Sequence, residues 1–214
     1  MLVTKARKPR IRDADATQKR ILAAAKKEFA KSGFGGARVD VIAERAKANK
    51  RMIYHYFDSK EKLFQKVVED AYVDIRTAEQ RLELASVSPP EALERLVRFT
   101  WEYYLRNPEF ITLVNSENLH KAKHLKKSEV IHQVSRRFLD MVGSLLERGA
   151  RSGDFREGVD PVQLNITIAA IGYYYLTNRF TGSIIFERDL MAPAALEERI
   201  QFNVETIRRL VCLK

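Results

Sequence analysis

A single cysteine in 214 residues, Cys212, leaves no thiol to pair with inside the chain. That excludes an intramolecular disulfide framework and fits a reducing, cytoplasmic compartment. Cys212 itself reads as a small apolar residue of the last helix. No uninterrupted hydrophobic run is long enough to span a bilayer: the most apolar stretch, 166–186, contains Asn178, Arg179, Gly172 and Gly182, so it reads as a buried helix. The start, MLVTKARKPRIRDADAT, has no apolar segment after its charges and does not read as a secretory signal. Also missing are internal repeats, a convincing strand pattern, and the sequence signatures of hydrolase nucleophile elbows, phosphate-binding Walker loops, dinucleotide glycine motifs and zinc proteases. Gly35-Gly36 alone is very weak support for phosphate binding. Nothing marks the chain as an enzyme, and no cofactor is expected.

What is present is a core-forming composition, 45% hydrophobic with 31% charged residues. It suits one large domain or one small and one large domain, and it excludes disorder outside the termini. The charge is unevenly placed. Residues 1–60 carry 16 Lys and Arg against 6 Asp and Glu, whereas the remaining 154 carry 22 of each, so the whole net charge of +10 lies in the first sixty residues. A basic small module on a neutral larger one points to a polyanion partner at one end of the molecule. Charge alone leaves RNA and membrane surfaces open.

Helical periodicity runs through the chain. Residues 1–12 form a basic arm. A first helix begins near Thr17 or the aspartates before it, carries the stripe Ile21, Ala25 and Phe29, and ends at Ser32-Gly33. Val39, Ile42, Ala43 and Ala46 give a short second helix one buried face. A third runs from about Lys50 to Phe57 with Asn49 as its N-cap. Asp58 and Glu61 have capping-box spacing for a long fourth helix reaching about Ala85. Further helices are expected over about 91–106, 109–126, 128–151, 161–182 (capped by Asp160, with Pro161 in the first turn) and from Pro193 onward. The expected fold is all-α, with about nine helices. It divides into an arm (1–12), a three-helix helix-turn-helix domain (13–58) and a helical domain (59–214).

Glu117, His120 and His124 recur at i, i+3 and i+7, a spacing that can hold a transition metal. Lys121, Lys123, Lys126 and Lys127 around them repel a cation and favour a solvated face, so no metal site is assigned.

The run QKRILAAAKKEFAKSGFGGARVDVIAERAKANKRMIYHYFDSKEKLF resembles the DNA-binding domain of the TetR family. The matching elements are Ile21 to Ala25, Phe29, Gly33-Phe34, Val39, Ile42-Ala43, Ala46, Ile53-Tyr54, Tyr56-Phe57 and Ser59 to Glu61, in order and nearly without gaps over about 48 residues. The chain departs from the family at Ala37-Arg38, where Thr or Ser is common, and at Lys47, where Gly is frequent and a left-handed backbone is needed. The resemblance implies that Arg38 reaches a base edge or phosphate, that Asn49, Lys50 and Arg51 open a recognition helix facing the major groove, that Tyr54 and His55 touch phosphates or a thymine methyl, and that Lys60 binds a phosphate at the start of the fourth helix. Tyr56 is assigned to the core.

The resemblance further implies a homodimer on a palindromic operator of double-stranded DNA, paired through the last two long helices. Leu164, Ile168, Ile171, Leu196, Ile200, Val204 and Ile207 are the candidates, and intramolecular core is the competing reading of each. It implies a small-molecule effector pocket, for which aromatic residues with scattered amides are candidates: Trp101, Tyr104, Phe110, Asn115, Asn118, Phe138, Tyr174 and Asn178. The expected function is a sequence-specific transcriptional regulator, a repressor released by its effector. The alternatives are a nucleic-acid-binding architectural or adaptor protein without an effector, and a helical enzyme.

Overall fold

A computed structural model describes residues 10–213; residues 1–9 of the basic arm lie outside it. The described residues form ten α-helices and no strand: α1 (Arg10–Gly36), α2 (Val39–Ala46), α3 (Lys50–Phe57), α4 (Lys60–Gln80), α5 (Pro89–Arg106), α6 (Pro108–Leu119), α7 (Glu129–Arg151), α8 (Pro161–Thr177), α9 (Arg179–Ile185) and α10 (Pro193–Val211), with one 3-10 turn at Leu84–Ser86. Proline opens α5, α6, α8 and α10, where its missing N–H costs nothing. None of the helices is long and apolar enough to cross a membrane.

Two compact units emerge. The first contains residues 10–70 together with 112–128; the second contains 71–111 and 129–213. In the first, Ile21, Ala25 and Phe29 of α1, Ile42, Ala43 and Ala46 of α2, Ile53 of α3, and Leu63, Phe64 and Val67 of α4 share one core. Phe29 meets Phe64 edge-to-face at 5.0 Å between ring centres. Gly33 interrupts α1 at φ 64°, ψ 176°, a backbone that disfavours a side chain, and the chain resumes with a last turn to Gly36. In the second unit α5 packs against α7, α8 and α10. Leu93, Leu96, Trp101, Val142, Leu145, Leu164, Ile168, Ile200, Val204 and Ile207 fill the space between them.

Four expectations need correction. The first helix begins by Arg10, ahead of the aspartates. The fourth ends at Gln80, short of Ala85. The expected helix over 161–182 is two: Asn178 leaves helical geometry at φ −101°, ψ 13°, and its side-chain amide donates to the carbonyl of Tyr174 at 2.9 Å. That local bond competes with continuation of the helix. The helix expected over 109–126 stops at Leu119 because the Glu117 carboxylate takes over the backbone amides of His124 (2.8 Å) and Leu125 (3.2 Å). The intervening turn places Lys121 and Ala122 at φ 56° and 54°.

Candidate nucleic-acid interface

The geometry of α2, α3 and the start of α4 follows from capping. Lys47 closes α2 in the left-handed region at φ 50°, ψ 45°, the conformation expected where relatives carry glycine. Asn49 then caps α3, its Oδ1 accepting from Arg51 N at 2.9 Å. Asp58 does not form the capping box anticipated with Glu61: it sits at φ 61°, ψ −49° beyond α3. Ser59 caps α4 instead, with Oγ accepting from Lys62 N at 3.1 Å.

This frame buries Ile53 and turns the opposite side of α3 outward. Asn49, Lys50, Arg51, Tyr54 and His55 are exposed there, Arg38 is exposed just before α2, and Lys60 is half-buried. Tyr56 is half-buried beside the core. Two of these groups are already engaged. Lys50 Nζ lies 2.7 Å from Asp40 Oδ1, and that contact raises the Lys50 pKa and lowers that of Asp40. Lys60 Nζ lies 4.9 Å over the Phe34 ring and reaches the Gly35 carbonyl at 3.4 Å. The oxygen that Asn49 would use in a bidentate contact with adenine holds the α3 cap. Arg51, Tyr54 and His55 project from the exposed face of a helix of eight residues, a width that fits the major groove.

Behind this surface, residues 112–128 are held by polar anchors. Phe34 N donates to Ser116 Oγ at 3.0 Å, and Ser128 Oγ donates to Glu69 Oε1 at 2.6 Å. Glu117 and His124 are buried, and His124 Nδ1 donates to Glu117 Oε2 at 2.7 Å. The His124 ring lies 4.8 Å from Phe34 and 5.1 Å from Phe64. The solvated face expected for these two residues is therefore wrong: the surrounding lysines stay outside while the Glu–His pair points into the unit. Among the described residues no group of three His, Cys, Asp or Glu side chains is placed to hold a metal ion.

The effector candidates are spread over separate places. Trp101, Tyr104, Phe110 and Phe138 are buried in the second unit. Tyr104 stacks with Phe110 at 5.9 Å and meets Tyr173 at 6.3 Å. Asn115 and Asn118 belong to the first unit, where Asn118 donates to the Val114 carbonyl. Tyr174 and Asn178 line a pocket of about 390 Å³ with Tyr175, Phe186, Arg188 and Arg199.

The sequence reading missed Arg76 and Glu79. They are an i, i+3 pair that looks like a surface ion pair, yet Glu79 is buried and the Arg76 guanidinium lies 3.9 Å from the Phe138 ring centre. Burial drives the Glu79 carboxyl up to about 7 although Arg76 opposes the shift. Burial also pushes the Tyr104 phenol up. Only the flanking apolar positions of α4, Ala71 and Ile75, hinted that this face is internal.

Five of the seven dimer candidates, Leu164, Ile168, Ile200, Val204 and Ile207, are packed inside the protomer; Ile171 and Leu196 are half-buried. The apolar side chains left outside are different ones: Ile166 and Tyr174 on α8, Phe180 and Ile184 on α9, Phe202 on α10. Their signal in the sequence was weak, since α8 is apolar on every side.

Residues 21–67 match the family of bacterial regulatory proteins of the tetR type, and residues 89–207 match the tetracyclin repressor-like C-terminal domain. The chain is 40% identical over 193 residues to the HTH-type transcriptional repressor NicS of Pseudomonas putida, covering 90% of this chain and 91% of that protein. It is 28% identical to the HTH-type transcriptional regulator RutR of Escherichia coli, over 94% of this chain and 92% of the relative. Solved structures share the fold: a tetR-family regulatory protein from Rhodococcus (TM-score 0.73, 18% identity, 92% of this chain and 98% of that one) and a TetR-family regulator from Marinobacter aquaeolei (TM-score 0.72, 18% identity, 95% and 99%). With both of its parts matched by family models and its helix-turn-helix intact, the chain belongs to the TetR family of DNA-binding transcriptional regulators.

Proposed function

We propose that this regulator is a repressor that binds a palindromic operator as a homodimer and leaves it when a small molecule occupies the second unit. The observation that carries the reading is the exposed basic row of α3, Lys50 and Arg51 with Tyr54 and His55 behind them, on a helix capped by Asn49. Arg51 reads a base edge and Lys60 takes a phosphate. A single eight-residue helix touches few bases, and two-fold pairing doubles the contacts. The second copy docks on the apolar residues left outside α8, α9 and α10, with Ile166, Tyr174, Ile184 and Phe202 at its centre. NicS is named a repressor, which favours repression over activation here. Effector binding acts by population shift, moving α4 so that the two reading heads no longer fit successive major grooves.

The test is selection of bound sequences from random DNA, followed by a metabolite screen for release. An inverted repeat is expected. Lys60→Ala weakens all sequences alike and lowers the salt slope by about 0.9, the value for one phosphate. Arg51→Ala relaxes preference at one base position. Equal losses on selected and random DNA for Arg51→Ala would remove its base-reading role, and a protein that enriches no sequence would sink the proposal.

A further inference from the structure

The basic face of α2 and α3 contains one carboxylate in a telling place. Asp40 stands in the first turn of α2, exposed, with Arg38 two residues before it and Lys50 Nζ 2.7 Å from its Oδ1. Arg38 and Lys50 are both assigned to DNA. The charge of Arg38 is felt by Asp40 and Lys50 alike. An acidic residue in the first turn of a helix stabilises that helix, and if this were all, Asp40 would have no effect on DNA. Its contact with Lys50 says otherwise. A carboxylate accepting from an ammonium is the same interaction that a phosphate offers. With three N–H donors Lys50 can turn to a phosphate, but it then shares or gives up its contact with Asp40. The carboxylate then faces a polyanion unless it finds another donor, and the major groove supplies such donors only as the amino groups of cytosine and adenine.

We infer that Asp40 determines specificity by rejection: it competes with phosphate for Lys50, and its carboxylate is tolerated against a duplex only where a cytosine or adenine amino group faces the first turn of α2. This rests on the assignment of α3 as the reading helix. Random DNA is bound almost wholly through its phosphates, and about half of random sites, those with guanine or thymine at that position, meet the competition without the compensating donor. The operator half-site carries a base with an amino group at that position, cytosine N4 being the usual donor to a carboxylate.

The test compares wild-type protein with Asp40→Asn and with Asp40→Ser, which keeps an oxygen acceptor at the helix start. Each is put through the same selection from random DNA and a salt titration on one scrambled duplex. Asp40→Asn is expected to bind scrambled DNA about 1.4- to 5-fold tighter, the range of an exposed ion pair. Its salt slope should steepen by up to about 0.9 as Lys50 becomes available to a phosphate. One position per half-site, cytosine or adenine in the wild-type selection, should lose its preference, and substituting each base there in turn tells the two donors apart. In a Lys50→Ala background Asp40→Asn should still relax that position but leave the slope unchanged. A purely structural role predicts a lower melting temperature for both variants with DNA binding unaltered. An unchanged selected motif, or unchanged affinity and slope on scrambled DNA, overturns the inference. A wild-type protein that selects no motif overturns instead the assignment of the reading helix.

Discussion

Removing the Glu117 carboxylate should cost more than any exposed ion pair in this chain, because three donors converge on it. His124 N (2.8 Å) and Leu125 N (3.2 Å) bond its Oε1, and His124 Nδ1 (2.7 Å) bonds its Oε2. Glu117 is 3% exposed and His124 9%, so neither histidine donor is rehydrated without opening the unit; Leu125 N is only partly buried and can recover a water. Each buried donor left without a partner costs about 1–3 kcal/mol, giving about 2–6 kcal/mol for the two histidine donors in Glu117→Ala. The turn at Lys121 and Ala122 keeps its own backbone bonds, Lys121 N to the Asn118 carbonyl and Ala122 N to the Glu117 carbonyl, so its left-handed backbone is not released. The loss is a large share of a domain's usual stability of about 5–15 kcal/mol. Glu117→Gln keeps an oxygen for the backbone amides and should lose about 1 kcal/mol. Equilibrium urea unfolding followed by circular dichroism measures the global loss, and amide exchange of residues 117–128 measures local opening if the segment detaches before the rest unfolds. Glu117→Ala within about 0.5 kcal/mol of wild type, with exchange in 117–128 unchanged, would refute the reasoning.

Four other substitutions separate burial from appearance. The Glu79 carboxyl, raised to about 7 by burial, is protonated in the folded state while still ionised in the unfolded chain between about pH 4.5 and 7. Its contribution is therefore full below about 4.5 and lost as pH rises through 7, by about 3 kcal/mol. Glu79→Gln should flatten that part of the pH–stability curve, and an unchanged slope between pH 5 and 8 counts against it. Gly149→Ala normally helps a helix, but a Cβ here would stand 2.0 Å from a ring carbon of Phe155, which is itself fully buried. A loss of about 3 kcal/mol in urea unfolding is expected, and any gain refutes the overlap. Ile184→Arg, at a side chain 79% exposed in the protomer, should shift sedimentation toward monomer. Leu164→Ala should instead cost about 2–5 kcal/mol of stability, and the reverse pattern would return Leu164 to the interface.

What was readable in advance was local. The caps at Asn49 and Asp160, the left-handed Lys47 and the apolar faces of α1 and α2 each depend on residues within one or two turns, and the structure has them as expected; in α3 only Ile53 is buried, with Tyr56 half-buried. Some errors were local too, with Asn178 breaking the helix expected over 161–182 and Ser59 replacing Asp58 as the cap of α4; the others arose where a distant partner decides. Glu117 and His124 sit among lysines in sequence, and nothing near them shows that Phe34 and Phe64, more than fifty residues earlier, will cover the histidine ring. Arg76 and Glu79 have the spacing of a solvated pair, and packing from beyond α4, Phe138 of α7 among it, makes them internal. The assignment of 112–128 to the same unit as the helix-turn-helix rests on bonds such as Phe34 to Ser116, eighty-two positions apart.

The proposed dimer face shows the same limit from the other side. Periodicity selects the most regular apolar stripe of a helix, and a regular stripe is what the protomer's own core uses first. In α8 that stripe is Leu164, Ile168 and Leu176. Yet Ile166 and Tyr174 on its other side are apolar too, and so are Phe180 and Ile184 on α9 and Phe202 on α10, all of them exposed in the single chain. A helix apolar all round has to be covered all round. An exposed patch of this kind marks an interaction surface. Since the inner stripe is already covered by α5 and α7, the second copy proposed above would have only the outer one left to take.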